Sequence, residues 1–143
     1  MRISSPKIHP PGFKTILGID PGVERVGFAI IQNNMKILDY GVIKTKKKDL
    51  AIRIWEIHEA LKDLIQKYSP THAAVEEIFF YNNIKTAVMV SQARGAILLT
   101  LAEAHIPIEE YTPLQVKQSV TGYGAADKKQ MQKMVQILFK LKE

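Results

Sequence analysis

The chain has 143 residues, which suits one domain with a single core. Its composition, 46% apolar and 24% charged, is that of an ordinary globular protein, and the absence of cysteine excludes disulfides and thiolate metal sites and fits a reducing, cytoplasmic setting. The net charge of +6 points to polyanionic partners, nucleic acid first and acidic membranes second.

Met1 to Lys14 contains no apolar stretch of signal-peptide length, and Pro10-Pro11-Gly12 breaks any helix there, so it reads as a loose basic arm. No apolar run is expected to cross a membrane. Thr15 to Asp20 reads as a first strand and Val26 to Gln32 as a second. Asn33-Asn34 makes a tight turn that tolerates positive φ, and Met35 to Ile43 is a third strand, completing an antiparallel meander. Lys44 to Lys48 is a basic loop.

Asp49 caps a helix on which Leu50, Ile54, Ile57, Leu61, Leu64 and Tyr68 recur at spacings of four and three. Ser69-Pro70 ends it. His72 to Phe79 is a short fourth strand, parallel to the first because a crossover helix precedes it. Asn83 to Ala104 is the longest helical stretch and is apolar over most of its circumference. Such a helix is buried on two sides. The second side faces either the interior of the monomer or another copy of the chain. Ile106 to Tyr111 is a fifth strand. Thr112, Pro113 and Gln115 start a short helix that ends near Gly122, and Asp127 caps a last one. The expected fold is α/β, a five-stranded mixed sheet flanked by helices.

The most informative segment is ILGIDPGVERVGFAI, Ile16 to Ile30. It holds Asp20 at the tip of a strand, where aspartate is unfavourable unless it meets a partner such as a metal ion or a phosphate. Glu76 falls near the end of the fourth strand. If the two strands are parallel neighbours, both carboxylates open onto the edge of the sheet where ligands of α/β proteins bind. Two converging carboxylates repel each other and form a hard-oxygen site suited to Mg²⁺. A metal there lowers the pKa of a bound water, and a second metal stabilises a leaving oxygen, which is the chemistry of phosphodiester hydrolysis. Strand alternation sends Glu76 and Glu77 to opposite faces, and Glu76 is the one expected to join Asp20.

The LGIDPG opening with Gly27 after it, AVEEIFF around Glu76, SQARG at Ser91 to Gly95, and VKQSVTGYGAADKKQMQKMV resemble, in order, the RuvC family of Holliday junction resolvases. The resemblance runs from Ile16 to about Leu141. It implies a ribonuclease-H-like fold in residues 15–143 and a homodimer. It also implies an endonuclease that resolves four-way DNA junctions by paired symmetric nicks during recombination and repair, with Mg²⁺, or Mn²⁺ in its place, as cofactor. A branch-migration motor is the further partner implied, and no membrane. By the same resemblance Asp20 and Glu76 are catalytic metal ligands, and Phe79 stacks on a base near the junction centre. Lys117 and Lys128 sit near the scissile phosphate, Lys128 at a helix N-terminus that already favours phosphate. Arg94 contacts phosphate or pairs with a neighbouring acid.

The chain departs from the family in one respect. RuvC-like enzymes carry further aspartates in a DAAD-like run on a last helix, and after Asp127 the only acid here is Glu143. This leaves open a shortened chain, a fragmentary gene product, or a natural variant that binds junctions without cutting them. GIDPGVERVGFA also resembles the phosphate-binding hairpin of actin-like ATPases, but those proteins need a second hairpin and a much longer chain.

Overall fold

The computed structural model describes residues 11–46, 49–78 and 83–142. Its elements are β1 (Thr15–Asp20), β2 (Arg25–Gln32), β3 (Ile37–Lys44), α1 (Leu50–Tyr68), β4 (His72–Glu76), α2 (Ile84–Glu103), β5 (Ile108–Tyr111), α3 (Pro113–Thr121) and α4 (Lys128–Phe139). The strands form one sheet in the order β3-β2-β1-β4-β5. β1 pairs antiparallel with β2 and β2 with β3, while β4 is parallel to both β1 and β5. This is the mixed sheet expected from the sequence.

Alternation divides the sheet into two unlike faces. Leu17, Ile19, Val26, Ile30, Ala73 and Val75 are buried, and they pack with Ile57 and Leu61 of α1 and Ala93, Ile97 and Leu101 of α2. Residues of the opposite parity, Gly18 and Asp20 on β1 and Ala74 and Glu76 on β4, point to the other side. Tyr40 and Val42 on β3 remain largely exposed there. The α1 periodicity is realised as read. The Asp49 side chain accepts hydrogen bonds from the Ala51 and Ile52 amides, and Ser69 closes the helix in the left-handed conformation. Two polar contacts tie α1 down: Tyr68 donates to Asp39 of β3 at 2.7 Å, and His58 lies 2.7 Å from the hydroxyl of Thr100 on α2.

Several boundaries differ from expectation. β4 stops at Glu76, and Phe79 lies outside the described residues, as does Met1 to Pro10 of the basic arm. β5 begins at Ile108, since Pro107 lacks the amide a ladder needs. The β2–β3 turn is longer than Asn33-Asn34, and Met35 rather than either asparagine takes positive φ, at 65°. The asparagines act through their side chains: Asn34 accepts from the Lys36 amide and Asn33 donates to the Gly12 carbonyl.

Helix α2 corrects one expectation and narrows another. By length and composition alone it is apolar enough to span a bilayer, contrary to the sequence reading. Here it is a core helix, with Ala93, Ile97 and Leu101 fully packed against α1 and the sheet and with Arg94 in an ion pair. Its second side is not enclosed within the monomer: Ile84, Val88 and Leu99 are each more than half exposed. The apolar circumference reflects one buried stripe and one open one.

Candidate active site

The site forms where the carboxyl ends of three parallel strands meet. Ile19 is in register with Val75, so Asp20 and Glu76, each one residue further on, end side by side on the same face. Pro21-Gly22 then turns the chain sharply into β2. A Cβ at Gly22 would lie 2.1 Å from the carbonyl oxygen of Arg25, so only glycine closes this turn. Gly27 is the partner of Asp20 across the β1–β2 ladder, and without a side chain it leaves the carboxylate open to solvent.

The two carboxyl groups interact directly. Burial, then the charge of Asp20, then a hydrogen bond to Asp20 push the pKa of Glu76 up to about 7, with the nearby Lys117 ammonium working the other way. Below about pH 7 Glu76 therefore tends to hold its proton beside Asp20. Glu77 follows on the opposite parity and is exposed, as alternation requires. Its amide donates to the Tyr111 carbonyl and joins the end of β4 to β5.

An open cleft of about 360 Å³ lies over the pair, lined by Asp20, Pro21, Glu76, Asn83, Thr86 and Pro113. Asn83 caps α2 by accepting from the Thr86 amide, so the positive end of α2 borders the cleft. Pro113 opens α3, whose start is fixed by a reciprocal Thr112–Gln115 capping box. This helix carries Lys117 toward the carboxylates.

The remaining sequence-derived residues are placed as follows. The Arg94 side chain is 17% exposed, its Nε donates to the Glu76 backbone carbonyl at 3.3 Å, and its guanidinium pairs with Glu110 of β5. Arg94 therefore realises the acid-pairing alternative and braces the strand end that presents Glu76. Lys128 is exposed on the first turn of α4, beyond an Asp127–Gln130 capping box, and it is not among the charges acting on Glu76. Sequence reasoning missed Glu110, Asn83 and Thr86. An asparagine followed three residues later by threonine before an apolar run was a readable cap signal, whereas nothing local distinguishes Glu110 from Glu109.

The donor set fits a divalent cation. Two hard carboxylate oxygens that repel each other and border a water-accessible cleft match an ion that keeps most of its waters. Among the described residues no third His, Cys, Asp or Glu joins them.

A mixed sheet in this order, with α1 and α2 packed on one face and paired carboxylates at the rim of β1 and β4, defines a ribonuclease-H-like domain. Residues 16–143 match the family model described as crossover junction endodeoxyribonuclease RuvC, and the chain belongs to that family. It is 48% identical to the crossover junction endodeoxyribonuclease RuvC of Petrotoga mobilis, over 90% of this chain and 81% of that protein. The RuvC of Halothermothrix orenii is 49% identical over 90% of this chain and 80% of its own. Among solved structures, the T. thermophilus RuvC in complex with Holliday junction substrate superposes with a TM-score of 0.83 at 35% identity, covering 91% of this chain and 82% of that one.

Proposed function

We propose that this protein is a divalent-metal-dependent Holliday junction resolvase that nicks paired strands of a four-way junction. The convergence of Asp20 and Glu76 at one rim carries the reading, and family membership supports the substrate. When bound, Mg²⁺ supplies an activated water and charge neutralisation at the scissile phosphate. Asp20 and Glu76 would hold it. Binding displaces the Glu76 proton, so affinity rises with pH until Glu76 is ionised. Lys117 offsets negative charge beside the pair, which supports a role for it in meeting a phosphate oxygen. Arg94 keeps the end of β4 in line through Glu110, and Lys128 supplies a cation further from the chemistry. Phe79 follows the β4 rim in the sequence and is assigned the base-stacking role. The exposed Ile84, Val88 and Leu99 on α2 suit a homodimer interface, and a dimer is what two symmetric nicks require. A branch-migration motor and a cytoplasmic location complete the reading.

One observation favours a second reading, a protein that binds junctions and does not cut them: the described residues bring together two carboxylates and no third. A single experiment separates the two. Incubated with a labelled four-way junction and Mg²⁺ or Mn²⁺, the resolvase gives symmetric nicks that Asp20→Asn abolishes. The non-cutting protein shifts the junction in a gel and leaves it intact at every metal concentration. An Asp20→Asn variant that cuts as fast as the parent refutes the assignment of the site.

A further inference from the structure

Arg25 and Lys44 stand directly opposite each other where β2 begins and β3 ends. Both are exposed. Like charges facing each other across a ladder destabilise a sheet unless something anionic lies between or over them. Among the described residues no anion pairs with either of them. Glu24, next to Arg25, turns its carboxylate to Arg53 at 3.4 Å, and Asp20 is engaged with Glu76.

Register places the pair relative to the site. Asp20 is opposite Gly27, and Gly27 is opposite Val42, so these three share one row across the sheet. Arg25 and Lys44 lie two residues further along the same strands, on the same face and nearer the rim. With strands about 4.8 Å apart and a rise of about 3.4 Å per residue, Arg25 is roughly 8 Å and Lys44 roughly 12 Å from Asp20, Cα to Cα. Each nucleotide of a duplex strand advances about 3.4 Å along the axis. The two cations therefore lie within reach of phosphates next to one held at the carboxylates.

We infer that Arg25 and Lys44 form a backbone clamp that receives the phosphates of a junction arm beside the strand being cut. Resting on the resolvase reading, the clamp adds a positioning surface on β2 and β3, separate from the α3 and α4 lysines. A membrane surface would also attract cations, but alignment with the carboxylate row favours a linear polyanion that passes over both.

Fluorescence anisotropy of a labelled four-way junction in EDTA, over about 50 to 200 mM salt, measures the clamp. Each lost phosphate contact lowers the slope of log K against log salt by about 0.9. R25Q/K44Q is expected to reduce the slope by about 1.8, so its loss of affinity over that range is about twelvefold smaller than the parent's. R25K/K44R is expected to keep the parent's slope. Lys67→Gln, removing one charge at the far end of α1, is expected to leave it unchanged. The R25Q/K44Q thermal midpoint should hold or rise, since a repulsive pair is gone. An R25Q/K44Q slope equal to the parent's overturns the clamp while leaving the resolvase reading in place. So does loss of binding to anionic phospholipid vesicles with an unchanged junction slope. A parent that does not bind the junction overturns the resolvase reading and the clamp together.

Discussion

Replacing Glu76 with glutamine should stabilise the metal-free protein at neutral and alkaline pH. In the fold, burial and then Asp20 raise the Glu76 pKa from 4.5 to about 7. Between these values the folded state holds a proton that the unfolded state has released, so stability falls as pH rises through the window. The contribution is fully present below about 4.5 and lost above about 7. A shift of this size corresponds to roughly 3 kcal/mol, at about 1.4 kcal/mol per pH unit. Glu76 is only half-buried, so solvent screening reduces this to roughly 1–2 kcal/mol. Glu76→Gln cannot ionise and escapes both the burial penalty and the repulsion. For a domain of this length, its unfolding midpoint at pH 8 should exceed the parent's by about 3–6 °C. At pH 4.5 the two midpoints should agree. Millimolar Mg²⁺ should raise the parent's midpoint at pH 8 and leave that of the variant nearly still, because binding to the folded state alone stabilises it. Thermal unfolding followed by circular dichroism from pH 4.5 to 8 reads all of this. If parent and variant share one pH profile, Glu76 does not hold its proton beside Asp20, and the site as described is wrong.

Four further outcomes test other parts of the structure. Asp20→Asn should lower metal-dependent nicking by at least about two orders of magnitude, the scale of losing one electrostatic stabiliser, with junction affinity in EDTA preserved. Gly22→Ala places a methyl group 2.1 Å from the Arg25 carbonyl and should destabilise the protein by about 1–3 kcal/mol, seen as a lower urea midpoint. Arg94→Ala breaks the ion pair with Glu110 and the bond to the Glu76 carbonyl. It should cost about 1–2 kcal/mol and weaken Mg²⁺ binding measured by calorimetry, and Arg94→Lys, lacking the fork, should not restore it. Ile97→Ala empties a fully buried position between α2 and the sheet and should cost about 2–5 kcal/mol in the same urea titration.

Local chemistry determined much of this protein in advance. The caps at Asp49, Thr112 and Asp127 were legible because a capping side chain acts on amides two or three residues away. The α1 stripe was legible because its period is a property of the chain. The alternation that sets Glu76 apart from Glu77 is likewise fixed by the pleat. What the sequence could not supply is which side chains become partners once sheet order and register are set. That Asp20 raises the Glu76 pKa, that Lys117 works against the rise, that Arg94 pairs with Glu110, and that Arg25 faces Lys44 all follow from sheet order and register. Even α2, apolar enough on paper for a bilayer, became a core helix because the sheet and α1 offered the stripe of Ala93, Ile97 and Leu101 a surface to bury. Such long-range pairings are chosen by the packing of the whole chain, so no window of neighbouring residues contains them.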